Sequence, residues 1–117
     1  MNPSDDLRVQ QSKHGGIIVL EVSGDVDFAV QHRFRAAVEE AVASSRTSLV
    51  VDLQAVRFID SSGIGVLTKA YSTLRERGDR LALIITSPAI QRTFELLRLD
   101  TILGVHTGLD AALKALE

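Results

Sequence analysis

Asp60-Ser61-Ser62-Gly63-Ile64-Gly65 places two adjacent hydroxyls beside a carboxylate, where an apolar run, Leu49-Val50-Val51-Asp52-Leu53, gives way to a helical pattern. Ile64, Leu67, Tyr71 and Leu74 follow at spacings of three and four, and Gly78 stands where a helix would need its C′ residue. The serines therefore mark a helix N-terminus, where Ser or Asp caps orphan amides and a hydroxyl stays open to modification. Turn and cap chemistry alone could account for the tetrapeptide. It accounts less well for two glycines in the opening turn, each costing a helix interior about 1 kcal/mol relative to alanine. Gly63 and Gly65 point to something that approaches this backbone closely.

Other chemistries fit poorly. A dinucleotide loop needs Gly-x-Gly-x-x-Gly, but Thr68 holds the third glycine position and the next strand ends in Thr86-Ser87 instead of an acid. Nothing matches a Walker motif. A serine hydrolase needs an elbow glycine two residues before its nucleophile, and Ile59 and Asp60 stand there instead. His14, His32 and His106 have no spacing that brings two onto one face, so no metal site is expected. A phospho-aspartate receiver is a closer decoy, with Asp52 in a central strand and Asp25, Asp27 and Thr86 as partial neighbours. It lacks a lysine after the last strand, near Val105-His106. The plain roles for Asp25 and Asp27 are loop and helix start, and for Asp52 capping or a strand edge.

The elements that must position these residues can be read from periodicity. Leu7 to Gln10 alternates, Ile17 to Val22 is rich in β-formers, and Lys13-His14-Gly15-Gly16 between them predicts a hairpin. Gly24-Asp25-Val26-Asp27 breaks the pattern, and Phe34, Ala37, Val38, Ala41 and Val42 then mark a first amphipathic helix. After the Leu49 to Leu53 strand and the second helix, Leu81 to Ile85 reads as a strand buried on both faces. Ser87-Pro88 supplies N-cap and N1 for a third helix with Ile90, Phe94 and Leu97 on its apolar face. Ile102 to Val105 reads as a last strand, and Thr107 with Asp110 caps a final helix carrying Leu109, Ala112, Leu113 and Leu116. The order ββαβαβαβα predicts an α/β domain with a mixed, mostly parallel sheet, about four helices and right-handed crossovers.

Composition narrows the function classes. The 117 residues suit a single domain spanning 1–117, with only the first few residues expected to be loose. Net charge is −2 with both signs interspersed, which argues against a nucleic-acid footprint or an anionic-membrane patch and favours protein partners. There is no cysteine, and no apolar run approaches a membrane span. Met1 to Gln11 is too polar for a signal peptide, so the expected address is the cytoplasm, with no cofactor required.

With this order of elements and the serine pair, the chain resembles the STAS domain family, specifically its small anti-sigma factor antagonists. Gly24-Asp25-Val26-Asp27 is similar to the family's Gly-x-x-Asp segment, and Asp60 to Leu67 to its Asp-Ser-Ser-Gly-aliphatic-Gly motif. Ser87 to Phe94 resembles its later Ser-Pro-containing helix. The resemblance implies a binding switch without catalysis, in bacterial stress or sporulation transcription. The unmodified antagonist captures an anti-sigma factor, itself a serine kinase, and frees a sigma factor. Phosphorylation of the first motif serine, here Ser61, ends capture until a phosphatase resets it. Asp25, Asp27, Asp60, Ser62, Gly63, Ile64 and Gly65 are then the surrounding contact or support residues, with the partner surface joining Asp25–Arg33 to Ser61–Thr68. Many relatives carry glycine where this chain has Arg98, which implies a differently shaped turn after the third helix. Alternatives are a STAS adaptor for a transporter ATPase or signalling assembly without a phosphorylation cycle, and nucleotide or lipid recognition at the strand C-terminal edge.

Overall fold

Period-two burial in short aliphatic runs builds the sheet. Ile18, Leu20, Leu49, Val51, Leu81 and Leu83 face one core, while Val19, Val50, Ala82 and Ile84 face another. The computed structural model describes residues 7–117 and contains five strands and four α-helices. In chain order these are β1 (Arg8–His14), β2 (Ile17–Val26), α1 (Gln31–Ser44), β3 (Leu49–Ile59), α2 (Ser61–Glu76), β4 (Leu81–Ile84), α3 (Pro88–Leu96), β5 (Gly104–His106) and α4 (Leu109–Ala115). The sheet order is β1-β2-β3-β4-β5, with β1 antiparallel to β2 and every other pair parallel. The expected ββαβαβαβα order is met. The expected looseness of the first few residues concerns positions outside the described ones.

The two sheet faces are covered unequally. Phe34 and Val38 of α1, Leu67 and Leu74 of α2, and Ile90 and Phe94 of α3 bury the main face. On the opposite face, among the described residues, α4 is the one helix that covers Val19, Val50, Ala82 and Ile84, through Ala112 with Leu109, Leu113 and Leu116. Arg77, just past α2, clasps the first layer from below: its guanidinium donates to the carbonyls of Val42 (2.8 Å) and Thr47 (2.9 Å) and pairs with Asp79.

Several boundaries differ from the sequence expectation. Gly24-Asp25-Val26 does not break the pattern: β2 continues to Val26, with Gly24 at φ 97° and register shifts at Glu21/Ser23 and Gly24/Asp25. Strand β3 runs on past Leu53 to Ile59, because each shift places an extra β3 residue against β2 and turns Val56 and Ile59 inward. Ile102 lies outside β5 and is 54% exposed, since a 3-10 turn, Leu99–Thr101, occupies the approach. Leu97 is the exposed C-cap of α3 and takes no part in its buried face. Helix α4 has Gly108 as N-cap with no side-chain cap bond, so Thr107 and Asp110 form no capping pair. Arg98 takes the left-handed conformation, φ 59°, so the turn after α3 keeps a path that glycine would follow without strain.

Candidate functional site

The site is assembled where β2 and β3 end side by side. Val26 pairs with Ile59, and the Asp60 amide donates to the Val26 carbonyl at 3.1 Å, so the segment after β2 lies against the start of α2. Asp60 is the N-cap of α2, accepting from the amides of Ser62 (3.0 Å) and Gly63 (3.3 Å) and from the Ser62 hydroxyl. Desolvation raises its pKa, but the Ser62 hydroxyl and the amides of Gly63, Ser62 and Phe28 outweigh that and hold the carboxyl below its ordinary value. Asp60 therefore stays ionised and ties the Phe28 segment to the helix start.

This arrangement separates the two serines. Ser62 is half-buried and its hydroxyl is committed to Asp60. Ser61, the first residue of α2, is exposed, and among the described residues its hydroxyl has no hydrogen-bond partner. The glycines separate as sharply. A Cβ on Gly63 would come within 2.7 Å of Val26 Cγ1 and 2.8 Å of Ile59 Cγ1, so the close approach there is made by the protein's own core. A Cβ on Gly65 would meet nothing within 4 Å. Ile64 is buried and serves the core.

Asp25 sits at the end of β2 and pairs with Arg57 at 3.4 Å. Asp27 stands at the N-cap of a 3-10 turn, Phe28–Val30, but makes no side-chain cap bond there, and among the described residues its buried Oδ1 has no hydrogen-bond partner. Asp52 is held by the backbone and side-chain nitrogens of Gln54, well before the end of β3. That placement departs from the strand-end acceptor of a receiver, and among the described residues no group of three His, Asp or Glu side chains could hold a metal.

Two features at this edge were not singled out in the sequence. Phe28 is 72% exposed although its amide serves Asp60, and Phe58, in register with Asp25, is 51% exposed. In a chain with four phenylalanines and no tryptophan, two solvent-facing aromatics at one edge are a signal, and Phe28 directly after Asp27 in a polar loop was its only trace in the sequence. The second feature is a groove of about 800 Å³ between α1 and α2 that begins at Ser61 and Ser62. Its lining comes from two helices with a whole strand between them in the chain, so no local spacing reports it.

Residues 8–112 match the family model described as STAS domain. The chain belongs to the STAS domain family. Among curated STAS relatives, the anti-sigma-F factor antagonist RsfB of Mycobacterium tuberculosis is 29% identical over 117 residues, covering 100% of this chain and 95% of the relative. The anti-sigma-B factor antagonist of Listeria monocytogenes is 30% identical over 105 residues, 90% of each chain. A crystal structure of an anti-sigma factor antagonist from Mycobacterium paratuberculosis superposes with a TM-score of 0.88 at 31% identity, covering 96% of this chain and 95% of that one. Among the described residues no helix of this STAS domain is long and apolar enough to cross a membrane.

Proposed function

We propose that this STAS domain is an anti-sigma factor antagonist that works by binding, without catalysis. Its unmodified form captures an anti-sigma factor with serine kinase activity and so frees a sigma factor. Phosphorylation of Ser61 ends the capture, and a phosphatase restores it. Asp25, Asp27, Asp60, Ser62 and Gly65 frame the contact surface, and Phe28 is its aromatic anchor.

The observation that carries this reading is the unequal state of the two serines: Ser61 is exposed with an uncommitted hydroxyl, while Ser62 is tied to the cap. A kinase can reach the first without dismantling the helix start. The names of the relatives supply the partner class. Physical chemistry supplies the switch. A phosphate adds about −1.5 to −2 charges, and a helix N-terminus favours an anion by roughly 0.3–1 kcal/mol, so the fold tolerates it. At a bound partner the same charge is costly, since like unit charges 4 Å apart repel by about 1 kcal/mol in water and about 4 kcal/mol at an effective dielectric of 20. A few kcal/mol is a hundredfold or more in affinity.

The test uses the serine kinase recovered from native lysate with a Ser61→Ala bait and then purified. With ATP it should phosphorylate wild type and Ser62→Ala, but not Ser61→Ala. By calorimetry Ser61→Asp should bind it at least about tenfold more weakly than wild type. Phosphate found only on Ser62 would overturn the acceptor assignment. Equal affinity of all three variants would turn the reading toward a constitutive STAS adaptor.

A further inference from the structure

The groove between α1 and α2 has a floor of core side chains, Val38, Val42, Val66 and Ala70, and opens at Ser61. Gly65 lies in its wall near that opening. Glycine in a helix interior costs about 1 kcal/mol relative to alanine, and here an added Cβ would touch nothing, so no packing within the described chain explains the residue. Gly63, in the same helix, is explained completely by Val26 and Ile59. The space above Gly65 is therefore surplus to the fold and available to something outside it.

Charge narrows what that is. Arg35 projects from the α1 wall and Lys69 from the α2 wall, both exposed. Glu39 is the lone acid of the lining, while a third cation, Arg77, is engaged by Asp79 and backbone carbonyls at the far end. The Arg35 guanidinium donates to Gln31 Oε1 at 3.2 Å, and Gln31 shares the lining with Ser61. The groove thus has an apolar floor with one exposed cation on each rim, Arg35 on α1 and Lys69 on α2, and Glu39 one turn further along α1.

We propose that this groove seats a protruding segment of the anti-sigma kinase, with an aliphatic side chain over Gly65 and Val66 and a carboxylate between Arg35 and Lys69. The inference rests on the function proposed above and says where on the STAS domain the partner lies. It also gives phosphorylation a second consequence. A phosphate on Ser61 stands at the open end of the groove, where it competes for Arg35 and repels the incoming carboxylate.

The experiment measures the affinity of the purified kinase for full-length wild type, Gly65→Leu, Arg35→Glu, Lys69→Glu and a control, Arg92→Glu on α3. Amide exchange is recorded with and without kinase. Expected are losses of about tenfold or more for the first three variants and no change for the control, with protection gained along α1 and α2. Because Gly65 is open and the charged residues are exposed, all variants should unfold near the wild-type temperature. Wild-type affinity in Arg35→Glu, Lys69→Glu and Gly65→Leu, with protection confined to the Phe28 edge, would overturn the groove and leave the antagonist function standing. A wild-type protein that binds no kinase would overturn both.

Discussion

Gly63 and Gly65 stand in one helix, in its first two turns, and face opposite worlds. Gly63 is buried and its missing Cβ is space already taken by Val26 and Ile59. Gly65 is exposed, and its missing Cβ is space that nothing in the chain uses. The same residue type thus satisfies the fold on one side of α2 and leaves an unfilled position on the other. A glycine pair in a sequence motif is two statements, and only coordinates separate them.

The largest effect that sharpens this contrast should come from Gly63→Ala. Val26 and Ile59 are β-branched and buried, so a new Cβ forces rotamer or backbone shifts of the kind that cost about 1–3 kcal/mol. Chemical denaturation should show that loss, and wild-type stability would mean the contact is softer than 2.7 Å suggests.

Next is Asp60→Ala, which removes the cap that orders this turn. N-cap loss costs about 0.5–2 kcal/mol. The folded carboxyl titrates below its unfolded value, so its contribution is full above about pH 4 and disappears as pH falls through the folded pKa. Stability curves of wild type and Asp60→Ala should therefore converge in acid. A constant gap down to pH 2 would show that the charge is not what stabilises the turn.

Arg98→Gly tests the converse case, a backbone that favours glycine and does not have one. A left-handed L-residue costs roughly 1–2 kcal/mol, offset in part by glycine's entropy, so the variant should gain about 0.5–1 kcal/mol. A loss would mean that the Arg98 side chain contributes to the fold. The smallest change should be Gly65→Ala, a stabilisation of about 0.4–1 kcal/mol measured by thermal unfolding. If Gly65→Ala is destabilised as much as Gly63→Ala, the contrast between the two sides of the helix collapses.

Much of this architecture was legible. Ser87-Pro88 starts α3 as an N-cap and N1 pair should, and Ile64, Leu67 and Leu74 trace the buried side of α2. The length of β3 was not legible, because Leu53, Val56 and Ile59 recur every third residue and lose the strand signature. Two register shifts absorb that spacing, and bulges leave no compositional mark beyond Gly24. At the site, the Asp60-Ser61-Ser62 chemistry could be read locally because a helix cap is a local structure. Phe28 and the α1–α2 groove could not, since burial of an aromatic and the meeting of two helices depend on the whole chain.

Arg77 has a mechanical meaning as well as a structural one. By gripping Val42 and Thr47 it pins together the trailing ends of two parallel helices, while at their leading ends Asp60 fastens the Phe28 turn, which runs into α1, to the start of α2. The two helices are thus tied at both ends, and the groove that begins at Ser61 is braced along its length.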